Sequence, residues 1–341
     1  MSVAAPARTG RAAALGAGLL VLGAALLALG AAIGSTGIES LAAVRQDPVA
    51  WQIVRDIRLP RSVGAWIAGA LLGLAGAVAQ GLFRNPLADP YLLGSGSGAS
   101  LGVALALLVA GRSPAAALAG DWWVQLGITG AAFVGAVGAV LLTLVLARGA
   151  QHTLRLLLGG VIVGVVLGAA KDVATLAAPD MLQSMQGFTL GSTAFLGWQA
   201  VALMAAVLAG CLAAARWLAP VLDGLALGEA TAASLGLALP WLRAALVAVL
   251  ALATGTAVAH AGLVAFVGLA APHLVRPLVR VRHGALLGLS ALMGATLLLA
   301  ADLLARGLIA PQELPVGVLT ALLGGGYLLW LMHRRNAEAA R

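Results

Sequence analysis

The hydrophobic pattern of this chain consists of long apolar runs separated by short polar segments. Each run has about 20 residues, the length that an α-helix needs to cross the hydrocarbon core of a bilayer. The runs are apolar on all sides, unlike the single apolar stripe of a helix on a soluble protein. We therefore predict about ten transmembrane helices, at residues 13–34, 62–83, 93–111, 122–147, 154–178, 193–218, 239–259, 262–279, 284–304 and 314–332.

The composition supports the same class of protein. Of 341 residues, 62% are hydrophobic and 9% are charged. So few charged side chains cannot give a soluble protein of this size a polar surface. The predicted fold class is an all-α, polytopic membrane protein, in which residues 1–341 form a single transmembrane domain embedded in lipid.

The basic residues indicate an orientation rather than a nucleic-acid partner. They are scattered singly and in pairs, and they form no stripe with interleaved aromatic residues. If the N-terminus is cytoplasmic, most of the 20 Lys and Arg residues lie inside, as the positive-inside rule favours. Both termini are then cytoplasmic. The segment "RDIRLPR" is an exception, because it places Arg55, Arg58 and Arg61 on the outer side.

The sequence carries no recognisable catalytic or metal-binding motif. Its five histidines lack metal-ligand spacing, and its one lysine, Lys171, is not part of a P-loop. We expect no catalytic residue, metal or cofactor on this chain, so ATP hydrolysis would belong to another subunit. An ion-coupled carrier that acts alone is the alternative to a transport subunit driven by a separate ATPase. It needs ionisable groups near mid-membrane, whereas Lys171, Asp172, Asp302 and Arg306 fall near predicted outer ends.

Glycines recur at four-residue spacing in two predicted spans. Gly160, Gly164 and Gly168 share one face of the fifth span, and Gly69 and Gly73 share one face of the second. Small residues on one face allow helices to pack closely in a bilayer. They also suit the wall of a conduit for a bulky solute, and the spacing alone does not decide between these two interpretations.

Four segments together resemble the FecCD-type permeases, the membrane subunits of type II ABC importers for ferric siderophores, haem and vitamin B12. They are "RLPRSVGAWIAGALLGLAGAVAQGLFRNPLADPYLLGSGSGASLG" (58–102), "ALGEATAASLGL" (226–237), "GLVAFVGLAAPHLVR" (262–276) and "DLLARGLIAPQELPVGVLTALLGGGYLLWLM" (302–332). The resemblance implies a homodimer in the bacterial cytoplasmic membrane. It also implies two cytoplasmic ATPase subunits that carry ATP and Mg²⁺, and one periplasmic substrate-binding protein.

The resemblance assigns a role to the polar segment between the sixth and seventh spans. It implies that residues 227–236 are the coupling helix, which sits in a cleft of the ATPase. Two glycines bracket a short amphipathic turn there, with polar side chains available for hydrogen bonds and apolar ones for packing. The coupling residues are Leu227, Gly228, Glu229, Ala230, Thr231, Ser234, Leu235 and Gly236.

The resemblance also explains the outer arginines. It implies that Arg58, Arg61 and Arg306 face the periplasm and dock the binding protein through acidic residues on its two lobes. The planar guanidinium group suits this task because it holds a carboxylate with two hydrogen bonds and keeps its charge.

The expected activity is import of an iron chelate, a ferric siderophore or haem, with vitamin B12 as the alternative solute. The expected translocation pathway is lined by the fifth span and by the start of the tenth, at Gly160, Gly164, Gly168, Pro315 and Gly317. Residues 180–192 depart from the version typical of many relatives, so they give no guide to the solute.

Overall fold

The computed structural model describes residues 6–34, 37–38, 47–110, 122–147, 153–234, 236 and 238–339. Nearly all of this part of the chain is helical. A two-residue antiparallel pair, β1 (Ile33–Gly34) with β2 (Gly37–Ile38), follows the first helix. The helices are α1 (Pro6–Ala32), α2 (Pro48–Ile53), α3 (Leu59–Phe83), α4 (Ser95–Ala110), α5 (Trp122–Leu146), α6 (Thr153–Ala177), α7 (Leu182–Leu190), α8 (Trp198–Ala226), α9 (Glu229–Ser234), α10 (Leu239–Ala261), α11 (Val267–Leu278), α12 (His283–Gly307) and α13 (Val316–Ala339).

The predicted all-α, polytopic class is confirmed, and each of the ten predicted spans overlaps one of these helices. Among the described residues, seven helical segments are long and apolar enough to cross a bilayer, and α4 and α13 contain shorter apolar stretches. Helix α11 has 12 residues. Twelve residues extend about 18 Å, which is less than the hydrocarbon thickness. The count of ten is therefore approximate.

The second span begins earlier than the sequence predicted. Helix α2 continues through a π-helical turn, Val54–Arg58, into α3, so that one apolar segment runs over residues 48–83. The side chain of Asp47 caps the start by accepting a hydrogen bond from the N–H of Val49. The wide turn precedes Pro60, whose ring and missing N–H disturb a regular α-helix.

Helix α3 lies at the centre of the bundle and is nearly all buried. It packs closely on α12, since a Cβ atom at Gly69 would overlap the carbonyl oxygen of Gly294, and one at Gly73 would overlap that of Ser290. The packing interpretation of these two glycines is confirmed. Gly76 makes the same kind of approach to Gly268 of α11.

The loop that follows α3 is ordered by two Asx-type hydrogen bonds. Oδ1 of Asn85 accepts from the N–H of Leu87 at 2.9 Å, and Oδ1 of Asp89 accepts from the N–H of Tyr91 at 2.8 Å. Asp89 thereby caps the 3₁₀ turn Pro90–Leu93. Burial raises the pKa of Asp89 to about 6, and the hydrogen bond from Tyr91 opposes that rise.

Candidate functional site at the two ends of the bundle

One end of the bundle carries the short helix α9, between the end of α8 and the start of α10. Two glycines with positive φ flank it, Gly228 at +111° and Gly236 at +79°. An L-residue rarely adopts these angles, so the glycines allow the chain to turn sharply into and out of the helix. The sequence-predicted coupling segment is therefore a distinct helical element, as expected.

Glu229 fixes α9 to the rest of the chain. Its carboxylate lies 2.6 Å from Nη2 of Arg243 at the start of α10 and 3.7 Å from Nη2 of Arg84 at the end of α3. The Arg243 side chain is only 4% exposed. Two arginines of its own chain thus hold Glu229, whose side chain is still 37% exposed, and its role in coupling stays a prediction.

The remaining side chains of the segment divide into a buried anchor and an exposed face. Ala232 is fully buried, and the hydroxyl of Ser234 donates a hydrogen bond to the carbonyl oxygen of Thr231. Leu235 lies outside the described residues. The exposed positions, which we call the α9 outer face, are Leu227, Ala230, Thr231, Ala233 and Ser234. An apolar surface with two hydroxyl groups, held from behind, can receive a protein partner.

The opposite end of the bundle contains a buried carboxylate. Asp302 of α12 has no exposed surface, and its Oδ1 accepts hydrogen bonds from Nη2 and Nε of Arg61 at 3.1 and 3.3 Å. Oδ2 contacts Arg306 one turn further along the same helix. Thr193, before α8, donates its hydroxyl to Oδ1. The cluster therefore ties α3, α12 and the 191–197 segment together.

Two of the three predicted docking arginines belong to this cluster. Arg61 also binds Glu313, at 2.8 Å from Nη1 to Oε2, and the Glu313 side chain is 35% exposed. The Arg306 side chain is 4% exposed and donates to the hydroxyl of Ser62 at 3.3 Å. Arg306 is thus bound inside the chain rather than presented to a partner, while Arg58 is partly exposed near the end of the π-helical turn.

The glycines predicted to line a pathway lie mainly at helix contacts. A Cβ atom at Gly160 would overlap the carbonyl oxygen of Leu92, so Gly160 packs on the 3₁₀ turn before α4 and the pathway interpretation is corrected for it. Gly164 and Gly168 are partly buried and lie near Ser97, at 3.8 and 3.9 Å from their Cβ positions to Oγ. These two remain predictions.

The start of α13 forms a tight junction with two other chain segments. A Cβ atom at Gly317 would overlap the carbonyl oxygens of Leu190 and Leu263, which end α7 and follow α10. Gly191, at φ +72°, approaches Gly317 from the same side. Gly317 therefore packs against protein, and the half-buried Pro315 precedes it.

The sequence did not predict which residues pair with the charged side chains at the two ends of the bundle. The spacing of Asp302 and Arg306, four residues apart on one helix, is a readable ion-pair signal. Nothing in the sequence linked Arg84 or Arg243 to Glu229, because the three residues lie on different elements. Lys171 and Asp172, which are neighbours in the chain, form an ion pair with each other.

The helical bundle, with a short helix exposed at one end, defines a polytopic membrane permease. The model of the FecCD transport family matches residues 18–334. The chain belongs to this family, whose members are transmembrane translocation subunits of ABC transporters and not ATPases.

Two characterised permeases resemble the chain over most of their length. The hemin transport system permease protein HmuU of Yersinia pestis is 39% identical over 292 residues, covering 84% of this chain and 85% of that protein. The vitamin B12 import system permease protein BtuC of Escherichia coli O157:H7 is 39% identical over 293 residues, covering 84% of each. The family resemblance drawn from the sequence is confirmed.

Solved structures share the fold. A metal-chelate type ABC transporter in an inward-facing conformation has a TM-score of 0.82 at 29% identity, over 93% of this chain and 98% of that one. PsaBC from Streptococcus pneumoniae, in complex with Fab, has a TM-score of 0.60 at 17% identity over 85% of this chain and 94% of that one, and shows the fold alone. The chain is therefore a multi-pass membrane protein of a bacterial ABC permease family.

Proposed function

We propose that this chain is the permease subunit of an ATP-driven importer that moves an iron chelate, a ferric siderophore or haem, from periplasm to cytoplasm. Membership of the FecCD family and 39% identity to a hemin permease support this proposal. Both termini would then lie in the cytoplasm, and α9 would face the same compartment.

The observation that carries the proposal is the α9 outer face. Its exposed side chains include Leu227, which is 68% exposed, while Glu229 and Ala232 hold the helix from behind. A rigidly anchored helix transmits the motion of a partner to the bundle, whereas a flexible loop absorbs it. We propose that a separate ATPase subunit, with its own ATP and Mg²⁺, grips this face.

At the outer end, we propose that a periplasmic binding protein docks through acidic residues. Arg58 and Arg61 are the contact candidates, since Arg306 is buried and acts through Asp302. In the isolated chain, Arg61 forms an ion pair with Glu313. A docking carboxylate would therefore exchange with Glu313 instead of meeting an unpaired arginine.

We further propose that two copies of the chain form the transporter, with the conduit at their two-fold axis. Helix α6 supports this arrangement, because it turns an apolar face outward that includes Val161, Val165 and Val173. Gly164 and Gly168 lie beside that face. A conduit lined by small and apolar residues offers few polar groups that could recognise a solute. Selectivity would therefore depend largely on the binding protein.

Vitamin B12 or another corrinoid is the second candidate solute. The BtuC relative supports it with the same 39% identity as the hemin permease. Both solutes would use the same coupling and docking surfaces, so these surfaces do not discriminate between them.

The experiment is reconstitution of the chain in liposomes with its proposed partners, an ATPase subunit and a binding protein. Binding of ferric siderophores, haem and cobalamin to the purified binding protein is measured first, and uptake of the bound ligand follows. We expect ATP-dependent uptake of an iron chelate. Uptake of cobalamin alone would support the second candidate, and uptake without ATP on a proton or sodium gradient would overturn the importer assignment.

A further inference from the structure

An open groove of about 740 Å³ lies between α1, α8 and α12. Small residues one helical turn apart line it, Ala209 and Ala213 on α8 and Gly284 and Gly288 on α12. A Cβ atom at Gly288 would meet no other atom within 4 Å, so the groove is open at that point. The lining is apolar apart from one residue, and it suits a hydrocarbon chain.

The exception is Arg216 of α8, which lies at the end of the groove where α12 begins. Its guanidinium lies against Gly284, because a Cβ atom there would overlap Nη1 of Arg216. Within the part of the chain that the structure describes, Arg216 makes no hydrogen bond or ion pair. An exposed cation at the end of an apolar groove suits a ligand that is anionic at one end and apolar along the rest.

The surroundings of Arg216 add to the positive charge. The start of α1 packs against the segment before α12, with Ala12 and Val281 in the same apolar cluster. This packing brings Arg11 and Arg282, both exposed and next to those residues in the chain, to the same end of the bundle. The N-terminus of α12 lies at the same end, where Asp223 of α8 caps it by accepting a hydrogen bond from the N–H of His283.

Arg11, Arg216 and Arg282 outweigh the acidic side chain that the structure places at this end of the groove. Asp223 of α8 is the nearby carboxylate, and it is already engaged by His283, whose Nδ1 lies 2.7 Å away and whose N–H donates at 3.1 Å. Clusters of arginine between transmembrane helices at a membrane surface attract anionic lipid headgroups. The charge balance therefore favours an anionic headgroup over a zwitterionic one.

The position of Arg216 relative to the bilayer surface also fits a lipid with an anionic headgroup. The next residue, Trp217, has 76% of its surface exposed, and exposed tryptophans of membrane proteins concentrate at the headgroup level. The groove continues from this level along α8 and α12 through apolar residues. A phosphate at Arg216 would therefore place an acyl chain beside Ala209 and Gly288.

We propose that this groove binds one anionic phospholipid, with its phosphate on Arg216 and one acyl chain between α8 and α12. Arginine holds a phosphate with two charge-assisted hydrogen bonds, and the neighbouring Arg11 and Arg282 add to the attraction. The site involves neither the transported solute nor the ATPase, so this proposal does not depend on the proposed function.

The test is native mass spectrometry of the purified full-length chain, delipidated in detergent and titrated with phosphatidylglycerol or with phosphatidylcholine of the same acyl chains. We expect one tightly retained phosphatidylglycerol. Arg216→Gln removes the charge-assisted hydrogen bonds and should weaken its retention by about tenfold. The matched control is Arg155→Gln, which removes another exposed arginine, at the start of α6 and away from the groove.

A second variant tests the shape of the groove without changing any charged side chain. Gly288→Leu fills the open floor and should abolish retention of the lipid, while Gly210→Leu, at an open position of α8 outside the groove lining, should not. Equal retention of the two lipids, or no effect of Arg216→Gln, would overturn the proposal. A change of the monomer–dimer ratio in Gly288→Leu with unchanged lipid retention would instead identify a second copy of the chain as the occupant.

Discussion

The buried charged side chains Arg243, Asp302 and Arg306 are paired with other residues of the same chain. Asp302 is fully buried and accepts from Arg61, Arg306 and Thr193. A buried carboxylate is tolerated only when it is paired and hydrogen-bonded. Removing one partner of such a group costs much more than the intact group contributes, because an uncompensated charge stays buried.

Asp302→Asn is therefore expected to destabilise the protein by about 3–5 kcal/mol, since it leaves Arg306 buried without its counter-charge. Thermal unfolding in detergent measures the effect. The control, Asp172→Asn, changes a carboxylate that is 67% exposed and should shift stability by less than about 1 kcal/mol. A similar midpoint for both variants would show that the buried cluster is not important for stability.

Glu313 is the accessible member of the cluster and gives a test of the docking proposal. Glu313→Gln removes the charge that competes for Arg61, so binding-protein association should become several-fold tighter. Surface plasmon resonance on the detergent-solubilised complex measures it. Asp180→Asn, another exposed acid predicted to lie at the outer end, is the control. Unchanged or weaker association in Glu313→Gln would remove Arg61 from the docking surface.

At the scale of elements, close glycine contacts position α3 against α12. Gly73→Val should prevent the two helices from meeting, because the added side chain would overlap the carbonyl of Ser290. We expect loss of folded protein in a size-exclusion assay of membrane extracts. Gly138→Val, at an exposed position of α5 with no atom within 4 Å of its Cβ site, should express normally. Normal folding of Gly73→Val would refute this packing.

Helix α9 is the element whose rigidity matters for coupling. Glu229→Gln weakens its ties to Arg243 and Arg84 without altering the α9 outer face. We expect ATP hydrolysis by the assembled complex to persist while ligand uptake per ATP falls. Asp56→Asn, in an exposed pair at the opposite end of the bundle, is the control. An unchanged ratio of uptake to hydrolysis would contradict a coupling role for the anchored helix.

The sequence located the spans well and the short elements poorly. Apolar length reports bilayer crossing directly, so runs such as 62–83 and 284–304 coincide with α3 and α12 within a few residues. Helices α2 and α7 were missed because they are short and their segments contain polar residues. The glycine spacing of α6 predicted close contacts, but it could not show that Gly160 faces Leu92 and not a conduit.

At the scale of the whole molecule, the family and the short helix α9 were predictable because their signals are local in sequence. The glycines at 228 and 236 mark the ends of α9 without any knowledge of the fold. The contacts of Glu229 and Asp302 were not predictable, since their partners come from helices that meet only in three dimensions. The polar segments of the sequence indicated which residues form the two end surfaces of the bundle. Packing between helices determines which charged side chains of those surfaces stay accessible.

Whether the chain works as an ATP-driven importer is decided by ligand uptake into liposomes that contain this chain, an ATPase subunit and a binding protein. The account predicts uptake that requires ATP, stops with a hydrolysis-deficient ATPase, and fails when Leu227 on the α9 outer face is changed to Asp. Uptake driven by an ion gradient with the ATPase left out would contradict it.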